Sequence, residues 1–432
     1  MTFIDQFLQD VQLPKMVRVR QKFNCPDEIA AIEAAVDEQF ERPEIRETIK
    51  AGMTVAVGLG SRGVAQIPRI AAAVVAKLKA LGAKPFAVPA MGSHGGATAE
   101  GQRYVLENLG ITEESLGCDI RSSMEVVKLG ELPNGLPVLM DRNALQADGI
   151  ICINRIKAHN AFTAPIESGV IKMLSIGFGK QAGADSCHTY GFGNMAQNIV
   201  EMARIKVKKM PFLFGIGTIE NSYDKVVKIE AIPAAKLEER EIALLAESKS
   251  YFPKIMFDNV DICVVDLMGK IYSGGGMDCH VTGRACTPFM EPIASIRPDR
   301  LVVLDLHEKS GGNATGMGFA DFSTKRLFDK IDFPETYPNV LTSRLSQDGY
   351  VPVIMGSDQQ AMQAALKTCI ILDGRTQARM IRIANTLHID EFYISENMLD
   401  DAKANTLIEI LSGPAPIVFD ANGAVSDLGL GL

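Results

Sequence analysis

Short apolar runs recur along the first half of the chain, each followed by a Gly-rich or polar loop and then by apolar residues at helical spacing. Thr54–Val57 precedes Gly58-Leu59-Gly60-Ser61-Arg62-Gly63, after which Ile67, Ile70, Val74, Val75 and Leu78 fall on one helix face within 65–80. Pro85–Pro89 precedes Gly92-Ser93-His94-Gly95-Gly96, with Thr98 placed to cap a helix over 99–109. Gly149–Ile153 feeds Asn154–Asn160, and a helix over 193–208 leads into Phe212–Ile216. Apolar runs alternating with helical patterns predict parallel strands joined by crossover helices. A second series starts near Val260: strands at Asp261–Leu267, Leu301–Leu306, Val351–Met355 and Thr368–Leu372, helices at 358–367, 375–386 and 394–411. The Lys- and Glu-rich stretch 235–250 reads as a solvated helix between the halves. The expectation is an α/β protein of two domains, 1–252 and 253–432, with mostly parallel sheets and a cleft between them.

Composition narrows the function classes. The 432 residues carry 44 Lys and Arg against 52 Asp and Glu, a net charge of −8, so there is no basic field for a phosphate backbone and nucleic acid is not expected as a partner. The opening residues Met1–Lys15 include Asp5, Gln9 and Asp10, unlike a secretory leader, and charge-free stretches such as 85–99 and 186–200 are too short to span a bilayer. A soluble cytoplasmic protein without a membrane partner is expected. The eight cysteines, several in apolar runs like Cys152 and Cys263, read as small core residues in a reducing compartment.

Ligands of open α/β sheets gather beyond the carboxyl ends of strands, where Gly-rich turns expose backbone N–H groups. Three of the six histidines, His94, His159 and His188, fall in such polar or Gly-rich segments of the first half. One loop histidine is ordinarily a solvated side chain; three in comparable places form a candidate site. Gly58, Gly60 and Gly63 have the spacing of a dinucleotide-binding turn, but 77–82 lacks the acidic residue expected about 20 positions on, so the dinucleotide reading is weak. Arg62 suits a bidentate hold on carboxylate or phosphate. Lys172, flanked by Val170, Ile171, Met173 and Leu174, has the apolar setting of a nucleophilic or anchoring lysine, with a snorkelling side chain as the plain alternative and Glu167 as a candidate cap or partner. Cys187 beside His188 lacks zinc-ligand spacing and reads as core.

Taken together, the elements GSRG at 60–63, MGSHGG at 91–96 and SGVIKMLSIG at 168–177, with His188 sixteen residues after Lys172, resemble the lactate racemase superfamily that uses a nickel-pincer nucleotide. GKIYSGGGMD at 269–278 and GNATGMG at 312–318 resemble loops of that family's second domain. The resemblance implies a cofactor, the Ni(II) pyridinium-3,5-dithio mononucleotide, attached to Lys172, with Ser61 and Arg62 beside it, His188 as nickel ligand, His94 and His159 as catalytic bases and Arg62 on the substrate carboxylate. It implies an isomerase that racemises or epimerises a 2-hydroxy acid by proton-coupled hydride transfer through a 2-oxo acid. The partners implied are that substrate and the enzymes that make the cofactor; a homo-oligomer is allowed by the sequence. The chain has no Trp, which the lactate enzymes place beside the cofactor, so a sugar acid or a dicarboxylate is as good a substrate as lactate. Two other readings stand beside this one: a zinc-type hydrolase built on the three histidines, and a non-enzymatic organic-anion-binding protein.

Overall fold

The computed structural model describes residues 3–431 except Arg62 and Leu372. The chain forms two units, Cys25–Phe252 and a second made of Pro253–Leu432 together with the residues up to Asn24. The opening residues thus leave the expected 1–252 domain. The cause is β1 (Met16–Gln21), whose Val17 and Val19 are fully buried and which pairs antiparallel with the segments Glu391–Ser395 and Ile408–Ile410.

In the unit Cys25–Phe252 the strands β2 (Thr54–Leu59), β3 (Lys84–Pro89), β6 (Gly149–Arg155), β7 (Phe212–Glu220) and β8 (Val226–Pro233) form one sheet in the order β3-β2-β6-β7-β8. All pair in parallel except β7 with β8. β4 (Val126–Glu131) and β5 (Pro137–Asp141) make a separate antiparallel ribbon. Alternation along β2 divides its residues between two faces. Val55, Val57 and Leu59 share a core with Ile70, Val74 and Leu78 of the helix Ile67–Ala80, and each such buried side chain contributes about 1.5–3 kcal/mol. On the other face Gly58 has no side chain, because the Phe178 ring lies where it would be: a Cβ there would come 2.2 Å from Phe178 Cζ. Gly215 of β7 makes the same room for Val170, at 2.4 Å. Strand glycines therefore seat the segment 170–178 directly on the sheet.

In the other unit the order is β12-β11-β10-β9-β13-β14-β1-β15, with β9 (Ile262–Met268), β10 (Arg300–Leu306), β11 (Phe322–Thr324), β12 (Val353–Met355), β13 (Met380–Ile383), β14 (Glu391–Ser395) and β15 (Ile408–Ile410). β9 to β13 are parallel, and the other pairings are antiparallel. The fold is α/β with mostly parallel sheets, as the alternation predicts. Local assignments differ in the last quarter. The expected strand Thr368–Leu372 is not formed: the helix Asp358–Thr368 runs through its start, Cys369–Ile371 are irregular and Leu372 lies outside the described residues. The expected helix 375–386 holds β13, and 394–411 holds the end of β14, a short helix Leu399–Ala404 and β15. Arg382 explains the first exchange. Its guanidinium is buried in β13 and grips both carboxylate oxygens of Asp266 on the neighbouring β9 at 2.7 Å, so a core strand position reads as polar in the sequence.

Candidate active site

Because β3, β2 and β6 are parallel neighbours, the loops that follow them leave one edge of the sheet. The Ser61 hydroxyl and His94 Nδ1 are hydrogen-bonded across that edge. Ser61, expected beside the cofactor, is thus the partner of a candidate base, and its neighbour Arg62 lies outside the described residues. The His94 loop is tight, with Gly92, Gly95 and Gly96 all at positive φ. A Cβ on Gly95 would meet the backbone of Gly101 at 2.5 Å, and Thr98 caps the next helix by accepting from Gly101 N–H at 3.0 Å.

His159 sits in a loop closed at its base by Lys157 and Ser168, whose backbones exchange hydrogen bonds of 2.9 and 3.2 Å. Glu167 holds the loop from inside. Its buried carboxylate accepts from the backbone N–H of His159 at 2.7 Å and of Ala164 at 3.0 Å and pairs with Lys249 at 2.5 Å. Glu167 thus organises the His159 loop, a role that differs from the expected cap or partner of Lys172. The imidazole stacks on Phe162, ring centres 4.3 Å apart, and its Nδ1 accepts from Ala161 N–H at 3.1 Å.

Lys172 ends a helical turn, Val170–Lys172, that is capped by Glu241 from the helix Leu237–Ser250. The fully buried Glu241 carboxylate accepts from Ile171 N–H at 3.0 Å, and burial pushes its pKa up to about 8. That helix was expected to be solvated; Leu244, Leu245 and Glu241 instead bury one face of it. Beyond Lys172 the chain widens into a π-helical turn, Met173–Gly177, with Phe178 N–H bonded to Met173 C=O at 3.0 Å. The carbonyls of Leu174 and Ser175 accept instead from the buried ammonium of Lys206, at 2.6 and 3.1 Å. Burial lowers the Lys206 pKa to about 7. The widened turn packs on the first two loops: a Cβ on Gly60 would lie 3.0 Å from Met173 Cε, and one on Gly92 3.3 Å from Ile176 Cγ2.

The helix Lys180–His188 follows. Cys187 is buried, donates to Met195 Sδ at 3.3 Å and has its pKa raised by burial to about 12, as its core reading requires. The positive charges of Lys172 and Lys206 oppose that rise. Phe192 joins the histidines. Its ring meets His188 edge to face with centres 5.5 Å apart, lies 6.0 Å from His159 and packs beside Phe162 at 6.4 Å. The structure thus pairs Ser61 with His94, puts His159 and His188 on one aromatic ring, and lays the Lys172 turn over the glycines of the first two loops.

Sequence reasoning missed Phe192, Glu241 and Lys206. Phe192 reads as a helix-face apolar residue, and the two charged residues sit in segments that look solvated. Two glycines of the triple-glycine spacing have a packing cause, since Gly58 seats Phe178 and Gly60 seats Met173, while Gly63 stands in open space at φ +69. In the other unit Tyr272 stands edge-on to His307 and His388, with centres at 5.6 and 6.5 Å, in loops after β9, β10 and β13. Among the described residues, Asp278, Cys279 and His280 have ligand atoms close enough for a metal. Asp278 Oδ1 accepts from His280 N–H at 2.9 Å and His280 Nδ1 from Ile293 N–H at 3.1 Å, the bonds of a helix cap and a loop clamp.

Residues 4–194 match the family model of the lactate racemase N-terminal domain, a stretch that contains Ser61, Arg62, His94, His159, Lys172 and His188. No curated protein matches the chain. Among solved structures, the lactate racemase apoprotein from Thermoanaerobacterium thermosaccharolyticum is 16% identical with a TM-score of 0.41, over 58% of this chain and 66% of that one. A structural-genomics protein from Thermotoga maritima is 13% identical with a TM-score of 0.46, over 63% and 69% of the two chains. The chain therefore spans just under two thirds of the lactate racemase apoprotein. Among the described residues no helix is long and apolar enough to cross a membrane. Over residues 4–194, then, the chain resembles the lactate racemase N-terminal domain, the racemase-type family that its loop motifs indicated.

Proposed function

We propose that the protein is a racemase or epimerase of a small 2-hydroxy acid that works with a nickel-pincer nucleotide attached to Lys172. The observation that supports this most is the joint placement of Lys172 and His188. They lie on two helical segments, Val170–Lys172 and Lys180–His188, joined through the π-helical turn that packs on the Gly60 and Gly92 loops. An amine and an imidazole so placed suit a group held by one covalent bond to lysine and one histidine-to-nickel bond. Such a group supplies an acceptor for the C2 hydrogen together with its electron pair, which no side chain of this site offers.

The remaining work falls to the chain. His94, oriented by Ser61, and His159, oriented by Phe162 and the Glu167 clamp, exchange the hydroxyl proton at the two faces of the substrate carbon. Arg62 holds the substrate carboxylate. Phe162 and Phe192, both buried, keep water from the reacting centre. The substrate and the cofactor-making enzymes are the partners this reading calls for.

The test is racemisation of 2-hydroxy acids deuterated at C2, with lactate, a sugar acid and a dicarboxylate as probes, on protein matured with the cofactor-making enzymes. Inversion with the label kept on carbon and a primary isotope effect is expected. Rapid loss of deuterium to water contradicts the mechanism, and turnover with zinc alone contradicts the cofactor.

A further inference from the structure

Lys180 opens the helix that ends at His188, a few residues beyond the turn that carries Lys172. The structure turns it inward. Lys180, Gln102 and Asp141 are all fully buried. The Lys180 ammonium lies 3.0 Å from Asp141 Oδ2, donates to Gln102 Oε1 at 3.1 Å and also donates to the carbonyl of Pro89, the last residue of β3. Gln102 passes the connection on: its Nε2 donates to Gly92 C=O at 2.8 Å and to His94 C=O at 3.3 Å. Asp141 is fixed in turn by Ala144 N–H, which donates to its Oδ1 at 2.8 Å.

We propose that Asp141, Lys180 and Gln102 form a buried polar relay that positions His94, with Lys180 as the joint between the His94 loop and the helix that ends at His188. Lys180 has a left-handed backbone, φ +56, a conformation that favours glycine, and its ion pair and two side-chain hydrogen bonds hold it there. Burial lowers its pKa while Asp141 opposes the shift, the balance of an ion pair closed off from water. The His94 loop turns through three glycines at positive φ, and Gln102 grips the carbonyls of Gly92 and His94 within it, which sets the direction of the imidazole toward Ser61. The relay rests on the reading of His94 as a base only for its purpose. Its geometry is tested without substrate or cofactor.

The experiment is 15N-histidine NMR and amide hydrogen exchange on the full chain, with the His94 signal assigned by its loss in His94→Ala. Gln102→Met keeps the ion pair and cuts the link to the loop. Asp141→Asn with Lys180→Met removes the charges together, because deleting one partner of a buried pair strands the other. In both variants the ring 15N signals of His94 are expected to move away from their positions in the unaltered chain. Amides 92–98 should exchange at least about tenfold faster while the His159 signal stays put. If Gln102→Met does not fold, Gln102→Glu, which keeps the bond from Lys180 and loses the donor to His94, answers the same question. An unchanged His94 signal and unchanged loop exchange in a folded Gln102 variant overturn the relay. Absence of racemase activity leaves these readouts untouched and bears on the function alone.

Discussion

Ser61 and His94 leave different strands, 33 residues apart in sequence, and are joined by a hydrogen bond between the Ser61 hydroxyl and Nδ1 of the imidazole. That bond engages Nδ1 of the residue proposed above as one of the two bases. A positioned base contributes about 10²–10⁴-fold in rate, so His94→Ala should lower kcat by at least about a hundredfold. Ser61→Ala removes only an orienting bond of about 0.5–1.5 kcal/mol and should cost about tenfold or less, with nickel content unchanged in both. Steady-state rates beside metal analysis check this; equal losses for the two variants would mean that Ser61 does more than orient.

His188 plays a different part. His188→Ala should abolish bound nickel while leaving the chain folded, since the residue is only half-buried. Metal analysis of protein matured with the cofactor-making enzymes decides it. Full nickel occupancy in the variant would remove His188 from the metal shell.

Glu241 makes stability depend on pH. Its folded pKa, about 8, lies above the ordinary glutamate value of about 4.3, so the folded chain holds a proton that the unfolded chain releases. The stability this proton confers is complete below about pH 4.3 and is lost as the pH rises toward 8, with a slope of at most about 1.4 kcal/mol per pH unit. Glu241→Gln, which keeps an acceptor for Ile171 N–H, should flatten the unfolding midpoint over that window. Denaturant melts at pH 5 and at pH 8 measure the difference, and parallel curves for the two proteins would contradict the assignment.

Much of this was legible in the chain because strand, loop and helix alternate so regularly: β2, β3, β6, β9 and β10 fall where apolar runs precede glycines. The grouping of the candidate loops was legible for a related reason. His94 and His159 lie in loops after parallel strands, and such loops share an edge. What stayed hidden was charge used as core. Arg382 disguised β13 as a helix, Glu241 disguised a capping helix as a solvated one, and Lys180 and Lys206 look like surface lysines until Asp141 and the π-turn carbonyls are seen beside them. β1 was invisible because its partners lie more than 370 residues away, at Glu391–Ser395 and Ile408–Ile410.

The central claim is that Lys172, held by the Glu241-capped turn and the buried Lys206, is the residue to which the cofactor is joined. Peptide mass analysis of protein made together with the cofactor-making enzymes tests it most directly. The peptide containing Lys172 should gain the mass of the nucleotide, Lys172→Ala should show no adduct anywhere, and the peptide containing Lys180 should keep its unmodified mass. An adduct that persists in Lys172→Ala, or that sits on Lys180, would contradict the account.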